Sequence, residues 1–206
     1  MPFVYSNQPH VRKHGPAGYT DYTTFKPWLR DEFNFRCVYC LERERLYPSG
    51  HAAFGVDHVH SKSNPDNIAY ICDYEYLVYA CNRCNSVKQD RRVLDPCATP
   101  FAEHFRVGDD GSLSGLTIEG EKLVKLLGLN SLQPRMIRQR FLRIRRLYQT
   151  HPDDPNVRER YLDYFGYPPD LPDLDSLRPA SNSRPTGLAD AYFRQRAEGR
   201  LPEAYY

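Results

Sequence analysis

The chain has 206 residues, with 40% hydrophobic, 13% aromatic and 26% charged residues and a formal net charge of +2. This composition excludes a wholly disordered chain, and no stretch approaches the ~20 apolar residues that a membrane-spanning helix requires. The N-terminus lacks the apolar run of a signal peptide, so we expect a cytoplasmic protein with no membrane partner. The small net charge hides an asymmetry: residues 1–150 hold 21 Lys and Arg against 16 Asp and Glu, and residues 151–206 hold 7 against 10.

The N-terminal arm, residues 1–30, is rich in Pro, Tyr and His and shows no sustained period, which predicts a loop-rich segment. Apolar residues then recur near helical spacing and predict a short helix over residues 27–35. Two short strand-like runs, 52–56 and 76–80, are separated by a polar, turn-forming loop over residues 59–73. The two runs are candidates for a pair of strands.

A second helix is predicted from residue 82 to about residue 92. Residues 96–150 predict a helical extension with one helix that Gly128 ends and a longer one from about 134 to 148. Helices combined with short strands give an α+β fold class.

The longer helix is rich in arginine and contains no acidic residue. At 100° per residue its apolar side chains form one face, and four arginines share the opposite side: Arg135, Arg138, Arg145 and Arg146. A solvated surface helix is the ordinary interpretation of such a face, but it usually pairs its arginines with Glu. We therefore predict that this side contacts phosphate groups.

The last segment, residues 151–206, is acidic and contains five prolines between residues 168 and 186. This composition predicts a poorly structured, Pro-rich tail. Residues 187–199 could form a short terminal helix. The tail is also a candidate docking segment for a partner protein subunit.

The six cysteines are spaced as two C-x2-C pairs and two single residues. Cys37 with Cys40 and Cys81 with Cys84 can each place two thiolates on one tetrahedral Zn²⁺, so the four predict a structural zinc site. A disulfide framework is disfavoured in a chain without an export signal. Cys72 and Cys97 are interpreted as ordinary half-buried thiols.

The stretch CVYC…VDHVHSKS…DYEYLVYACNRCNSVK resembles the HNH endonucleases, whose shared unit is a ββα-metal finger held by two zinc knuckles. The matching residues are Asp57 and His58 at the end of the first strand and Asn85 in the helix, with Lys88 as in the family's C-x2-C-N-x2-K signature. The resemblance implies a metal-dependent nuclease over residues 31–95. It extends weakly to about residue 148, where the chain is similar to standalone HNH nucleases of bacterial anti-phage systems of the retron and Septu types.

The residue chemistry agrees with the roles that this resemblance implies. His58 suits a general base near neutral pH, and the oxygens of Asp57 and Asn85 suit a hard ion such as Mg²⁺ or Mn²⁺. The expected substrate is DNA, with RNA not excluded. Besides the four arginines of the long helix, the nearest candidates for phosphate contacts are Lys62, Arg83, Lys88, Arg91 and Arg92.

The chain departs from the family pattern at two places. Tyr76 stands where the family usually carries an Asn that braces the catalytic His, so either a loop residue such as Asn67 replaces it or catalysis is weakened. The Pro usual after the catalytic His is absent, and His60 lies in that stretch as a loop residue or an extra metal ligand. The competing hypothesis is a non-catalytic zinc module that binds nucleic acid or protein.

Overall fold

The computed structural model of the protein describes residues 5–179 and 187–205. Residues 1–4 of the arm, residues 180–186 of the Pro-rich segment and Tyr206 lie outside the described residues. In chain order the elements are α1 (Lys26–Glu32), β1 (Phe54–His58), β2 (Leu77–Cys81), α2 (Asn82–Lys88), β3 (Phe105–Val107), β4 (Leu113–Gly115), α3 (Ile118–Leu126), α4 (Leu132–Thr150), α5 (Pro155–Phe165) and α6 (Tyr192–Ala197). The helices and two small antiparallel sheets confirm the predicted α+β class.

The centre of the fold is a β-hairpin followed directly by a helix. β1 pairs antiparallel with β2, with Phe54 opposite Cys81 and His58 opposite Leu77. Every residue of β2 is buried, which explains its continuous apolar sequence. α2 begins at Asn82 and ends at Lys88, about four residues earlier than predicted, because Gln89 adopts a φ of +51° that a helix cannot continue.

The N-terminal arm is fastened to α1 by two buried carboxylates. Glu32 accepts hydrogen bonds from the backbone N–H groups of Lys13 and His14 at 2.9 and 3.0 Å. The His14 Nε2 lies 2.8 Å from the Oδ1 of Asp31, within hydrogen-bond distance. Both carboxylates are fully buried, so the arm is an ordered part of the core rather than an independent loop.

The prediction of a poorly structured tail after residue 151 is wrong for the described part of that segment. Asp154 caps α5, and Pro155 occupies its first turn, where a missing N–H costs nothing. Phe165, Leu174 and Tyr205 are buried, and the Tyr205 N–H donates to the Phe165 carbonyl at 2.8 Å. The predicted terminal helix is present as α6, shorter than expected.

Among the described residues, no helix is both long and apolar enough to cross a membrane.

β3 and β4 form a second hairpin around the Gly-rich turn near Gly111. This turn packs against α4, where the Gly111 carbonyl accepts a hydrogen bond from Arg138.

Candidate functional site

Four cysteines meet in one buried cluster at the base of the β1–β2 hairpin. The Sγ atoms of Cys37, Cys40, Cys81 and Cys84 all lie within 4.8 Å of one another, and each residue is at most 1% exposed. Sulfurs at the corners of a zinc tetrahedron, about 2.3 Å from the ion, are roughly 3.8 Å apart. The Sγ atoms of Cys40 and Cys81 are separated by 3.8 Å. The cluster therefore has the size and chemistry to hold a metal ion.

Local backbone geometry explains why the two C-x2-C pairs converge. In the first pair, the Leu41 N–H closes a turn onto the Cys37 carbonyl at 2.9 Å, with Leu41 at a φ of +61°. In the second pair, Cys81 ends β2 and caps α2, so its Sγ accepts the Cys84 N–H at 3.4 Å. The Val38 N–H donates to the Tyr79 carbonyl at 3.0 Å and ties the first pair to β2.

The remaining cysteines lie outside this cluster, as predicted. Cys72 and Cys97 are both half-buried. The Cys72 thiol donates to the Thr20 carbonyl at 3.2 Å, and burial raises the pKa of Cys97 to about 11. Within the cluster, burial raises the pKa of Cys37 and Cys40, whereas hydrogen bonds from the neighbouring thiols lower the pKa of Cys81. A metal ion must therefore displace the protons of Cys37 and Cys40 to bind there.

Asp57 is buried and has a partner on each carboxylate oxygen. Lys88 Nζ lies 3.0 Å from Oδ1, and the Tyr39 hydroxyl donates to Oδ2 at 2.7 Å. Lys88 also donates to the His58 carbonyl at 2.8 Å. Lys88 is 1% exposed and braces the end of β1 through these two contacts. The prediction that Lys88 contacts a phosphate directly is therefore wrong.

His58 lies on the opposite face of β1 from Asp57, because successive side chains of a strand alternate. Its Nε2 is 3.0 Å from the Ile71 carbonyl. A carbonyl only accepts, so Nε2 carries the proton and Nδ1 holds the free lone pair. Burial lowers the pKa of His58, which favours the neutral ring. The rings of Tyr22 and His58 pack in a T-shaped pair, with a centroid distance of 4.7 Å and an interplanar angle of 70°.

Asn85 lies on the side of α2 that faces β1. Its Nδ2 donates to the Val56 carbonyl at 3.2 Å, one residue before Asp57. This bond fixes the amide, and no group in the described part of the chain donates to its Oδ1. The structure therefore gathers Asp57, Asn85 and Lys88 where α2 meets β1, and it places His58 across the strand from them.

The candidate phosphate-binding residues separate into two groups. Arg83 donates to the carbonyls of Leu127 and Gly128, and Arg138 donates to those of Gly111 and Leu129. Arg138 is 1% exposed, so its predicted phosphate contact is wrong. It belongs to the buried side of α4 because the β3–β4 turn brings carbonyl acceptors to that side.

The other predicted cations remain nearer the surface. Lys62 is exposed and donates to the Tyr22 hydroxyl at 3.0 Å. Arg135 pairs with Asp110. Arg91, Arg92 and Arg146 are also exposed, and Arg145 is half-buried.

Sequence reasoning missed the groups that hold the predicted catalytic residues in place. Tyr39 lies between Cys37 and Cys40, the two cysteines of the first C-x2-C pair. This position could have indicated a contact with β1. The Ile71 carbonyl carries no sequence signal. Asn67, considered as a substitute for the missing Asn, donates to the Ser61 carbonyl at 2.8 Å and braces the loop, while Ile71 holds His58.

No protein-family model matches this chain, and no curated protein is significantly similar to it.

Proposed function

We propose that the chain is a metal-dependent endonuclease of the HNH type that hydrolyses phosphodiester bonds in nucleic acid. The observation that carries the proposal is the arrangement of β1, β2 and α2 around the four cysteines, with Asp57 and His58 at the free end of β1. Zinc in the cysteine cluster would fix the strands and the helix relative to each other, since small metal-clamped units gain much of their stability from the ion.

His58 would act as the general base. Its Nδ1 would take a proton from water, and the resulting hydroxide would attack phosphorus while the bond to the 3′ oxygen breaks. The leaving 3′ oxygen would take up a proton from solvent, so the products would carry a 5′-phosphate and a 3′-hydroxyl. The hydrogen bond from Nε2 to the Ile71 carbonyl supports this role, because it fixes both the tautomer and the direction of the ring.

Mg²⁺ or Mn²⁺ would be held by oxygens of Asp57 and Asn85, and when bound it would offset charge on the phosphate and the leaving oxygen. Each oxygen of Asp57 has one partner already, but a carboxylate offers about four lone-pair positions in all. The Asn85 Oδ1 has no donor among residues 5–179 and 187–205. The oxygen donors of this set have the chemistry of a hard-cation site, and the cation would share the Asp57 carboxylate with the Lys88 ammonium.

A plasmid-nicking assay with Mg²⁺ or Mn²⁺ tests the proposal. Wild-type protein should nick supercoiled DNA, and His58→Ala should lower the rate by about 10²–10⁴-fold, the usual contribution of a general base, with unchanged zinc content. His51→Ala is the matched control, because His51 is an exposed histidine outside the site. Equal rates for wild type and His58→Ala would exclude this mechanism.

The second candidate function is a non-catalytic zinc module that binds nucleic acid or protein. The observation that favours it is the pairing of both Asp57 oxygens with buried groups, Lys88 and Tyr39. Nucleic-acid binding with no nicking under either metal would support this module over the enzyme.

We also propose a cytoplasmic role in anti-phage defence, with a partner protein subunit, on the weaker part of the resemblance. The structure changes how the partner should be sought. Truncation near residue 150 would remove the core residues Phe165 and Leu174. Co-purification from cells expressing the full chain, compared with variants of exposed residues in α6 such as Phe193→Ser, is the informative experiment.

A further inference from the structure

A row of accessible aromatic rings begins beside the end of β1. The ring centroids of His60 and Tyr76 are 5.5 Å apart, and those of Tyr76 and Tyr70 are 4.8 Å apart. Tyr70 is 43% exposed, and the other two rings are half-buried. The rings are tilted by 55° and 40° rather than stacked on one another. We call these three side chains the aromatic row.

The strand register places the aromatic row next to the proposed catalytic histidine. His58 pairs with Leu77, and the Val59 N–H donates to the Tyr76 carbonyl at 3.1 Å. Tyr76 is thus the residue that immediately precedes the partner of His58. A ligand lying on the row would extend directly to the end of β1.

The row continues into a cleft of about 650 Å³ that His60 also lines. The cleft wall includes three cations, Arg91, Arg92 and Lys122, and two acidic residues, Asp95 and Glu119. Within the described residues the head groups of Arg92 and Lys122 have no hydrogen-bond or ion-pair partner. These two cations are therefore free to neutralise an anionic ligand.

We propose that the aromatic row and this cleft bind an unpaired nucleic-acid strand, with bases against Tyr70 and Tyr76 and phosphates against Arg92 and Lys122. Accessible rings next to cations are the means by which proteins hold single strands without sequence preference, because every base has a π face. A duplex already stacks its bases and cannot offer those faces. The inference rests on the nuclease proposed above and defines its substrate as single-stranded DNA or RNA, or the unpaired part of a duplex.

The proposed binding surface also gives Tyr76 a role. An Asn at this position would brace a neighbouring side chain through its amide. Tyr76 instead contributes a ring to a surface, while the Ile71 carbonyl holds His58. The departure at Tyr76 is then a change of substrate rather than a loss of function.

Fluorescence anisotropy with zinc-loaded full-length protein, in buffer without Mg²⁺ or Mn²⁺, tests the proposal apart from cleavage. The probes are labelled oligothymidylate, oligouridylate and a duplex hairpin of the same length. We expect both single strands to bind more tightly than the hairpin, and the comparison of the first two distinguishes DNA from RNA. Tighter binding of the hairpin would overturn the proposal.

Substitutions in the aromatic row are the second test of the proposal. Tyr76→Leu and Tyr70→Leu should each weaken single-strand binding by about 5- to 150-fold, the range that corresponds to about 1–3 kcal/mol of stacking per base. Tyr76→Phe should restore it. Phe193→Leu is the matched control, since Phe193 is an exposed ring of α6. Tyr70 is the more exposed ring, so its variant keeps the test valid if the Tyr76 variant unfolds. Unchanged affinity in Tyr70→Leu would overturn the proposal.

Cleavage assays separate the failure of this inference from the failure of the proposed function. Single-strand preference that depends on Tyr70, without cleavage under either metal, would retain the binding surface and exclude the enzyme. Equal cleavage of single and double strands, unaffected by Tyr70→Leu, would retain the enzyme and exclude the binding surface.

Discussion

Lys88 Nζ lies 3.0 Å from Asp57 Oδ1, and both side chains are almost completely buried, at 1% and 4% exposure. This ion pair joins the last turn of α2 to the end of β1. Because the Lys88 ammonium also reaches the His58 carbonyl, it fixes two consecutive residues of the proposed site. The buried Lys88 ammonium therefore stabilises the end of β1 that carries the proposed site.

Lys88→Met should lower the free energy of unfolding by about 3–5 kcal/mol, because it leaves the Asp57 carboxylate buried without its counter-ion. Urea unfolding monitored by the fluorescence of Trp28, which is fully buried, measures the change. The double variant Asp57→Asn, Lys88→Met should lose less than the sum of the two single variants, since the unpaired charge is then absent.

Lys125→Met is the matched control for this pair. Lys125 is an exposed lysine in the last turn of α3, and its substitution should change the stability by no more than about 0.5 kcal/mol. A Lys88→Met variant as stable as the Lys125→Met variant would contradict a structural role for the ion pair.

Loss of one cysteine ligand should release the metal and destabilise the protein. Cys84→Ser removes a thiolate from the α2 side of the cluster, and we expect metal content, measured by elemental mass spectrometry, to fall from one ion per chain towards none. If at least about 3 kcal/mol is lost with the ion, the melting temperature falls by roughly 6–12 °C. Prolonged treatment with a zinc chelator should have the same effect.

Cys72→Ser is the control for the metal site, because Cys72 is a half-buried thiol outside the cluster. Its metal content should match that of the wild type. Equal metal content in Cys72→Ser and Cys84→Ser would show that the cluster does not bind the ion.

The cysteine cluster could be predicted from the sequence because each C-x2-C pair is a local signal, and two such pairs suffice for one tetrahedral ion. The partners of Asp57 could not, since the contacts with Tyr39 and Lys88 depend on the register between distant segments. The burial of Arg138 could not be predicted for a related reason. A helical wheel gives the angle between side chains, but only the β3–β4 turn decides which side of α4 becomes buried.

The tail after residue 151 shows a different limit of sequence reasoning. Its average composition is acidic and rich in proline, which predicts little structure. The average conceals single large aromatic residues that are almost fully buried, such as Phe165 and Tyr205. Burial of a few large side chains thus decided the outcome, and composition alone does not detect them.

Acid should weaken the attachment of the N-terminal arm through Glu32. Its pKa is lowered from 4.5 to about 2: burial alone would raise it, but the His10 ring and the N–H groups of Lys13 and His14 outweigh that effect. A carboxyl with a lower pKa in the folded state contributes stability above about pH 4.5, and the contribution is lost as the pH falls towards 2. The shift corresponds to about 3 kcal/mol.

Measurement of unfolding free energies at pH 6 and pH 3 checks this linkage. Glu32→Gln should be less stable than wild type at pH 6 and should lose less stability between the two pH values. Glu159→Gln, at an exposed position of α5, should follow the wild-type pH dependence. A Glu32→Gln variant with the full wild-type loss would assign the acid sensitivity to other groups.

Substitution of two arginines of α4 should distinguish a structural role from a role in nucleic-acid binding. Arg138 is buried and donates to backbone carbonyls, whereas Arg146 is exposed. Arg138→Met should cost at least about 2 kcal/mol of stability, because it leaves buried carbonyls without their charged donor. Arg146→Met should leave stability unchanged and, if α4 contacts a single strand, reduce the slope of log affinity against log salt by about 0.7, the value for one phosphate contact. An unchanged salt slope in Arg146→Met would mean that this exposed arginine takes no part in binding.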